Sequence, residues 1–325
     1  MKTLIYIISA LGVLLLFGFI LEQILRRKQF EELKKNQTFM EVNKHKLQYL
    51  KKGIGNCTVV FESGLGSDLT IWKAIQDSLA QNAVTISYNR AGVTLSEPSN
   101  SLLTNESVNN DLSELLEKTA CPKPYVVVGH SMGGIYLRRF IKKNEHNIGG
   151  IVFVDAAHPL QMKMASEKLL KSVSVPPVWL IKFLMNTGLY RLIFSYVGFP
   201  PEVPAKHPIN IQQKRFFYLS FNETMKEAKN DKVNFEEAEQ YNNYGNIPFA
   251  VITGTSSIRT KGISDEVIRE EYQDLVSRLQ EDFLKLSTNS WLVKAEKSGH
   301  VTQASEPQLI VNEIRKVINR RHVEK

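Results

Sequence analysis

A serine lies between two glycines in the sequence Gly-His-Ser-Met-Gly, residues 129–133. Uncharged, β-prone residues 125–128 precede this run, and an amphipathic segment with helical spacing, 135–141, follows it. A Gly-x-Ser-x-Gly run between a strand and a helix is typical of a sharp turn that projects the serine hydroxyl away from the sheet. We therefore interpret Ser131 as a candidate nucleophile and not as part of an ordinary glycine turn.

The elements around this turn alternate between strands and helices. Such alternation predicts an α/β fold with a mostly parallel sheet that helices cover on both faces. The predicted strands are 38–42, 47–50, 58–61, 84–88, 125–128, 150–154, 249–254 and 291–293, and helices are predicted near 71–80, 107–118, 135–141, 264–286 and 307–320. Residues 160–246 break the alternation, because they are helical in character, rich in aromatic residues and interrupted by prolines. We interpret them as a cap inserted over the carboxyl edge of the sheet.

Four groups of residues come in a fixed order at the ends of predicted strands: Ser63-Gly64-Leu65-Gly66, Asn89-Arg90-Ala91-Gly92, the serine run, and Gly299-His300. With these residues the chain resembles the α/β-hydrolase family from about residue 38 to its C-terminus. The resemblance implies the α/β-hydrolase fold, which is a mostly parallel eight-stranded sheet with helices on both faces and a helical cap, here at about 160–246.

The resemblance also implies catalytic roles. Ser131 takes the place of the nucleophile and His300 that of the general base, while the backbone N–H groups of Leu65 and Met132 form the oxyanion hole. The family commonly has a histidine before the glycine of the oxyanion loop, and here Ser63 stands in its place. Because the donors are backbone groups, this difference need not remove the hole. Of the other histidines, His130 is expected to be structural and His158 to line the pocket.

The acid that orients the base is open between two carboxylates. The family most often places it after the strand that is predicted at 249–254, but the next residues, Thr255, Ser256 and Ser257, carry no carboxylate. Some members use a carboxylate at the end of the strand after the nucleophile's helix, and Asp155 fills that position. We predict Asp155 as the acid, with Asp265 as the alternative, although Asp265 is also typical of a helix start.

The N-terminus carries a membrane-length apolar segment. No charged residue occurs from Thr3 to Leu21, and such a run is just long enough to cross a bilayer as a helix. Because no small-residue cleavage site follows, we favour an uncleaved anchor at about 3–25 within an N-terminal region 1–37, ahead of a hydrolase domain at 38–325. The net charge of +8 is scattered, which favours a membrane surface over nucleic acid as the partner.

The two cysteines bear on the side of the membrane. In the family fold the strands that follow Cys57 and Cys121 are parallel neighbours, so a disulfide between them and two free buried thiols are both open. A disulfide would place the hydrolase domain outside the cytoplasm. Positive charge at Arg26, Arg27 and Lys28 points the other way. We expect a single-pass membrane protein with an extracytoplasmic hydrolase domain.

Together these features predict a membrane-anchored serine hydrolase that cleaves a carboxylic ester or a related acyl substrate and uses no metal or cofactor. An acyltransferase that works through the same acyl-enzyme and a non-catalytic binding protein of the same fold are the alternatives. The apolar cap residues are either the cap's own core or, in part of the run 175–199, a surface that faces an acyl chain or the bilayer.

Overall fold

The computed structural model describes residues 1–198 and 201–323. Phe199, at the end of the apolar cap run, lies outside the described residues. The strands, in chain order, are β1 Thr38–Val42, β2 His45–Lys52, β3 Thr58–Glu62, β4 Val84–Tyr88, β5 Tyr125–His130, β6 Ile148–Val154, β7 Phe249–Gly254 and β8 Ser290–Ala295. The helices are α1 Lys2–Leu33, α2 Lys73–Leu79, α3 Asn105–Lys118, α4 Met132–Lys143, α5 Gln161–Met164, α6 Glu167–Ser172, α7 Val178–Asn186, α8 Leu189–Tyr196, α9 Pro208–Lys229, α10 Asp231–Ala238, α11 Glu266–Asp282, α12 Thr302–Ser305 and α13 Pro307–Val323.

The eight strands form one sheet in the order β1-β2-β4-β3-β5-β6-β7-β8. The β1–β2 and β2–β4 pairs are antiparallel, and every pair from β4–β3 to β7–β8 is parallel. All residues of β3, β4, β5, β6 and β7 are buried, because helices cover both faces of a parallel sheet and leave no polar face. The carboxyl ends of these strands therefore meet at one edge, where the predicted site residues lie.

The helices that pack on the sheet are amphipathic and have local start signals. α3 begins with a capping box, in which Thr104 accepts a hydrogen bond from the Ser107 N–H and the Ser107 hydroxyl accepts one from the Thr104 N–H. On α4, Ile135, Leu137, Phe140 and Ile141 are buried, and they join the apolar core that lies against the sheet. This packing fixes α4 and with it the turn that precedes it.

The chain divides into two compact units. The sheet unit comprises Thr38–Val173 and Leu219–Lys325, and the N-terminal unit comprises Met1–Gln37 and Ser174–Tyr218. The middle of the predicted cap thus groups with the N-terminal helix, and its two flanks group with the sheet. The N-terminal helix α1 is also longer than the predicted anchor, since it continues through the charged segment to Leu33.

Candidate active site

The turn at Ser131 has the strained geometry that the sequence motif predicts. Ser131 separates the end of β5 from the start of α4 and has φ 51° and ψ −125°. A Cβ added at Gly133 would lie 2.4 Å from the Glu62 carbonyl oxygen, so only glycine fits there. Met132 is the first residue of α4, and its N–H therefore has no partner within the helix.

The structure brings His300 and Asp155 into contact. Asp155 follows the last residue of β6 and is buried, and its Oδ2 lies 2.5 Å from His300 Nδ1. Ser131, Asp155 and His300 line the same cavity. Because Nδ1 of the imidazole is engaged by the carboxylate, Nε2 is the nitrogen that can accept a proton.

Asp265, the alternative acid, has a different place. It is the N-cap of α11, where its Oδ1 accepts hydrogen bonds from the N–H groups of Val267 at 2.9 Å and Ile268 at 3.3 Å. Its side chain therefore stabilises the start of a helix on the surface. Of the two carboxylates, Asp155 is the one that holds His300.

Arg259 is a buried partner of Asp155 that the sequence analysis did not identify. Its guanidinium forms an ion pair with Asp155 Oδ1, and its Nη2 donates a hydrogen bond to the Gly254 carbonyl at 2.9 Å. Burial opposes ionisation of Asp155, but the charges of Arg259 and His300 outweigh it and hold the Asp155 pKa well below its usual range. One sequence signal could have identified it, because Arg259 follows β7, and the family commonly places a residue that contacts the base after this strand.

The loop after β3, for which the sequence predicts an oxyanion-binding role, lies directly against Ser131. A Cβ added at Gly64 would lie 2.9 Å from Ser131 Cβ, so the Gly64–Leu65 peptide passes close to the carbon that carries the Ser131 hydroxyl. Arg90 donates hydrogen bonds to the carbonyl oxygens of Ser63 at 2.7 Å and Gly64 at 3.1 Å. In a planar trans peptide the Leu65 N–H points opposite to the Gly64 carbonyl, so Arg90 sets the direction of this donor.

Arg90 is itself held by buried carboxylates. Its guanidinium donates to Glu62 Oε1 at 2.7 Å and to Glu227 Oε1 at 2.7 Å, and all three side chains are buried. Tyr136 on α4 donates its hydroxyl to the same Glu227 oxygen at 2.9 Å. This network ties the loop after β3 to α4, the helix that begins directly after Ser131.

The two other histidines near the site are buried. Nε2 of His130 lies 3.0 Å from the His300 carbonyl oxygen, and burial with the nearby His300 lowers the His130 pKa to about 3. His130 is therefore neutral and donates to that carbonyl, which positions the loop carrying His300. His158 lines the cavity, and burial and the charge of Arg138 lower its pKa to about 4 despite the nearby Asp282 carboxylate.

The cavity at Ser131 has a volume of about 210 Å³ and lies within the sheet unit. Most of its wall is apolar and comes from the β6–α5 loop, α5, α6 and α11. The apolar lining residues are Ala156, Ala157, Met162, Ala165, Leu169, Leu170, Val173, Leu275, Val276 and Leu279. Within the described part of the chain, no group of three or more His, Cys, Asp or Glu side chains is arranged to hold a metal ion.

The two cysteines are separate, buried thiols. They do precede neighbouring parallel strands, because β3 pairs with β5. The Cys121 thiol lies 3.3 Å from the Thr119 hydroxyl. The disulfide alternative is therefore wrong, and it no longer supports an extracytoplasmic domain.

The sheet order, the serine turn and the edge where the site residues meet define an α/β-hydrolase-fold protein. A family model described as alpha/beta hydrolase fold matches residues 58–187 of the chain. The chain therefore has the α/β-hydrolase fold.

Two curated proteins and two solved structures are similar to the chain over most of its length. YqjL of Bacillus subtilis (strain 168) is 25% identical over 80% of the chain and 83% of its own length. An AB hydrolase superfamily protein of Gibberella zeae is 25% identical over 80% of the chain and 85% of its own length. The Cif epoxide hydrolase of Acinetobacter nosocomialis matches with a TM-score of 0.64 and 16% identity, over 90% of the chain and 95% of its own. A thermophilic esterase of Thermogutta terrifontis matches with a TM-score of 0.59 and 17% identity, over 88% and 99%.

Proposed function

We propose that the protein is a serine hydrolase that cleaves a carboxylic ester or a related acyl substrate through an acyl-enzyme on Ser131. The observation that carries this proposal is the contact between His300 Nδ1 and Asp155 Oδ2 in the cavity that Ser131 also lines. A serine in a strained strand-to-helix turn that lines the same cavity as a carboxylate-bound histidine has the parts that nucleophilic acyl transfer requires.

The proposed reaction assigns one task to each group. His300 Nε2 takes the Ser131 proton as the hydroxyl attacks the substrate carbonyl, and Asp155 stabilises the imidazolium that forms. The N–H groups of Leu65 and Met132 bind the oxyanion, and His300 returns its proton to the leaving alcohol. Water, activated by His300, then attacks the acyl-enzyme, which releases the acid and regenerates the Ser131 hydroxyl.

Solved structures similar to this chain include both an epoxide hydrolase and an esterase, and the chemistry of a serine favours the second class. Attack of a serine oxygen on an epoxide carbon would form an ether, which an activated water does not hydrolyse. Attack of the same oxygen on an ester carbonyl forms a new ester, which water can hydrolyse. Turnover on Ser131 therefore requires an acyl substrate.

The wall of the cavity supports an apolar acyl group. Leu169 on α6 and Leu275, Val276 and Leu279 on α11 line it within the sheet unit. A volume of about 210 Å³ is smaller than the roughly 300–1,000 Å³ of sites for larger organic ligands. We propose a short or medium acyl chain whose pocket is built from α5, α6 and α11.

We also propose that α1 is a retained membrane anchor. The apolar part of this helix has a mean hydropathy of 2.8. Glu22, on the same helix, is buried in ion pairs with Arg26 and Arg191, so the helix is an integral part of the N-terminal unit, as a removed signal sequence would not be. Because no disulfide joins Cys57 and Cys121, the charges of Arg26, Arg27 and Lys28 are the remaining argument, and they favour a cytoplasmic sheet unit.

Labelling with a fluorophosphonate probe tests the catalytic proposal. We expect the full-length protein to be labelled and the Ser131→Ala variant not to be. A folded protein that is neither labelled nor active on acyl esters would favour the binding-protein alternative. Product analysis with a competing alcohol separates hydrolysis from acyl transfer, since an ester product that dominates over the free acid would favour an acyltransferase.

Labelling of a surface cysteine tests the side of the membrane. Val267 is 71% exposed, so a Val267→Cys variant carries one accessible thiol beside the two buried ones. We expect a membrane-impermeant maleimide to label this variant only after cell lysis. Labelling in intact cells would place the sheet unit outside the cytoplasm.

A further inference from the structure

The N-terminal unit presents an apolar surface on two short helices. On α7 and α8, Trp179 is 70% exposed, Leu192 61% and Tyr196 86%, and Phe183 and Ile193 are also exposed. We call these five residues the α7–α8 apolar surface. Exposed aromatic and aliphatic residues grouped on neighbouring helices are typical of a surface that meets a partner or a membrane.

The turn between these helices packs against α1 at a defined position along the axis of that helix. A Cβ added at Gly18 would lie 2.7 Å from the Thr187 carbonyl oxygen, so the turn packs directly on the backbone of α1. Gly188, in the same turn, has φ +75°, and a Cβ added there would lie 3.4 Å from Glu22 Oε2. The close approach therefore requires glycine at 18, and the left-handed backbone of the turn favours glycine at 188.

Charged groups fix the same contact one turn further along α1. Glu22 is 1% exposed, and its carboxylate accepts hydrogen bonds from Arg191 at 2.5 Å, Arg26 at 2.7 Å and Tyr190 at 3.2 Å. Arg26 also donates to the Met185 carbonyl at 2.6 Å, at the end of α7. A carboxylate buried between two arginines is held in place, because separation of the partners would leave a buried charge unpaired.

The height of this contact relates the α7–α8 turn to the bilayer. The uncharged run of α1 ends at Leu21, and Gly18 lies three residues before this end. At a rise of about 1.5 Å per residue, the contact is some 4–5 Å inside the end of the apolar run. If α1 spans a bilayer, the turn is at the boundary between acyl chains and headgroups, and Arg27 and Lys28 on α1 follow at the height of the headgroups.

The composition of α7 and α8 suits that boundary. Lys182 is the one charged residue of α7, and tryptophan and tyrosine, here Trp179 and Tyr196, are the side chains that favour the membrane–water interface. We propose that the α7–α8 apolar surface lies in the lipid interface beside α1. The protein is then attached to the bilayer by a transmembrane helix and by an interfacial helical hairpin. This inference rests on the proposed anchor and is independent of the chemistry at Ser131.

Tryptophan fluorescence of the full-length protein in vesicles tests the proposal. Trp179 is the tryptophan of the N-terminal unit, while Trp72 and Trp291 belong to the sheet unit. In phosphatidylcholine vesicles brominated near the carbonyl end of the acyl chains, we expect quenching relative to unbrominated vesicles. The Trp179→Phe variant should lose most of this bromine-sensitive emission, and the matched control Trp291→Phe should retain it.

Two results would overturn the inference, and they differ in what else they affect. Equal bromine quenching of the Trp179→Phe variant and the wild type, in protein that floats with the vesicles, would remove the interfacial surface and leave the anchor intact. A blue-shifted Trp179 emission that bromine does not quench would also remove the interfacial surface and leave the anchor intact. Contact between two copies of the chain would produce such an emission. A protein that fails to float with vesicles would remove the anchor as well, and fluorophosphonate labelling of Ser131 would still test the catalytic proposal separately.

Discussion

At the scale of single residues, Asp155 connects the proposed base to the rest of the site. Its two carboxylate oxygens have different partners, His300 on one and Arg259 with the Gly254 N–H on the other. In the proposed reaction, the contact with His300 orients the imidazole, and the contact with Arg259 holds the carboxylate in place. Each contact predicts a different kinetic effect.

Asp155→Asn should lower kcat on acyl esters by about 10³–10⁴-fold, because an amide does not stabilise the imidazolium and favours the wrong tautomer. Asp265→Asn is the matched control, since it preserves a good N-cap residue, and it should retain nearly full activity. Steady-state kinetics on the same ester compares the two. Full activity of Asp155→Asn with collapse of Asp265→Asn would reverse the assignment of the acid.

Arg259→Gln should lower kcat/KM on acyl esters by roughly tenfold, because Asp155 loses the ion pair on Oδ1 and holds His300 in a less defined position. Arg259→Lys keeps a positive charge and should retain more of the wild-type activity. Steady-state kinetics on one ester compares the two variants. Wild-type activity in the glutamine variant would contradict a role of Arg259 in positioning Asp155.

At the scale of elements, α11 has one face in the cavity and another in solvent. Val276 lines the cavity, whereas Val267, on the same helix, is 71% exposed and does not. The two valines therefore provide a matched pair for testing which acyl chains the cavity accepts.

Val276→Phe should lower kcat/KM for esters of longer acyl chains by about tenfold and leave acetyl esters within roughly twofold, because the larger side chain fills the space that additional methylenes would occupy. Activity over a series of esters of increasing chain length measures the effect. Val267→Phe should reproduce the wild-type profile. A uniform loss across the series would contradict an acyl pocket along α11.

At the scale of the whole molecule, buried histidines link stability to pH. His158 is buried with its pKa lowered to about 4, against roughly 6.5 for an unperturbed histidine. Between these values the unfolded chain binds a proton at this position and the folded chain does not. The contribution of His158 to stability therefore falls as pH falls from about 6.5 to 4.

His158→Gln removes this contribution while keeping a hydrogen-bonding side chain. Relative to the variant, the wild type should lose about 1.4 kcal/mol of unfolding free energy for each pH unit in this window. Urea unfolding of the wild type and the variant at a series of pH values measures the difference. Parallel curves for His158→Gln would show that His158 takes up its proton in the folded state.

The sequence by itself determined the sheet, its strands and the placement of the serine and histidine. Runs such as 84–88 and 249–254 begin and end in the structure where the pattern predicts, because a strand buried on both faces has a local apolar signature. The serine turn is equally local, since neighbouring glycines permit the strained backbone at Ser131.

Only the tertiary structure decided which carboxylate holds His300, what Arg90 and Arg259 do, whether the cysteines pair, and where α1 docks. These depend on contacts between residues far apart in sequence: Asp155 and His300 are separated by 145 positions, and Glu22 and Arg191 by 169. A carboxylate or guanidinium has the same local signature whether it caps a surface helix, as Asp265 does, or is buried against a charge, as Asp155 is. Burial and partner, which set its pKa and its role, are fixed only when the chain folds.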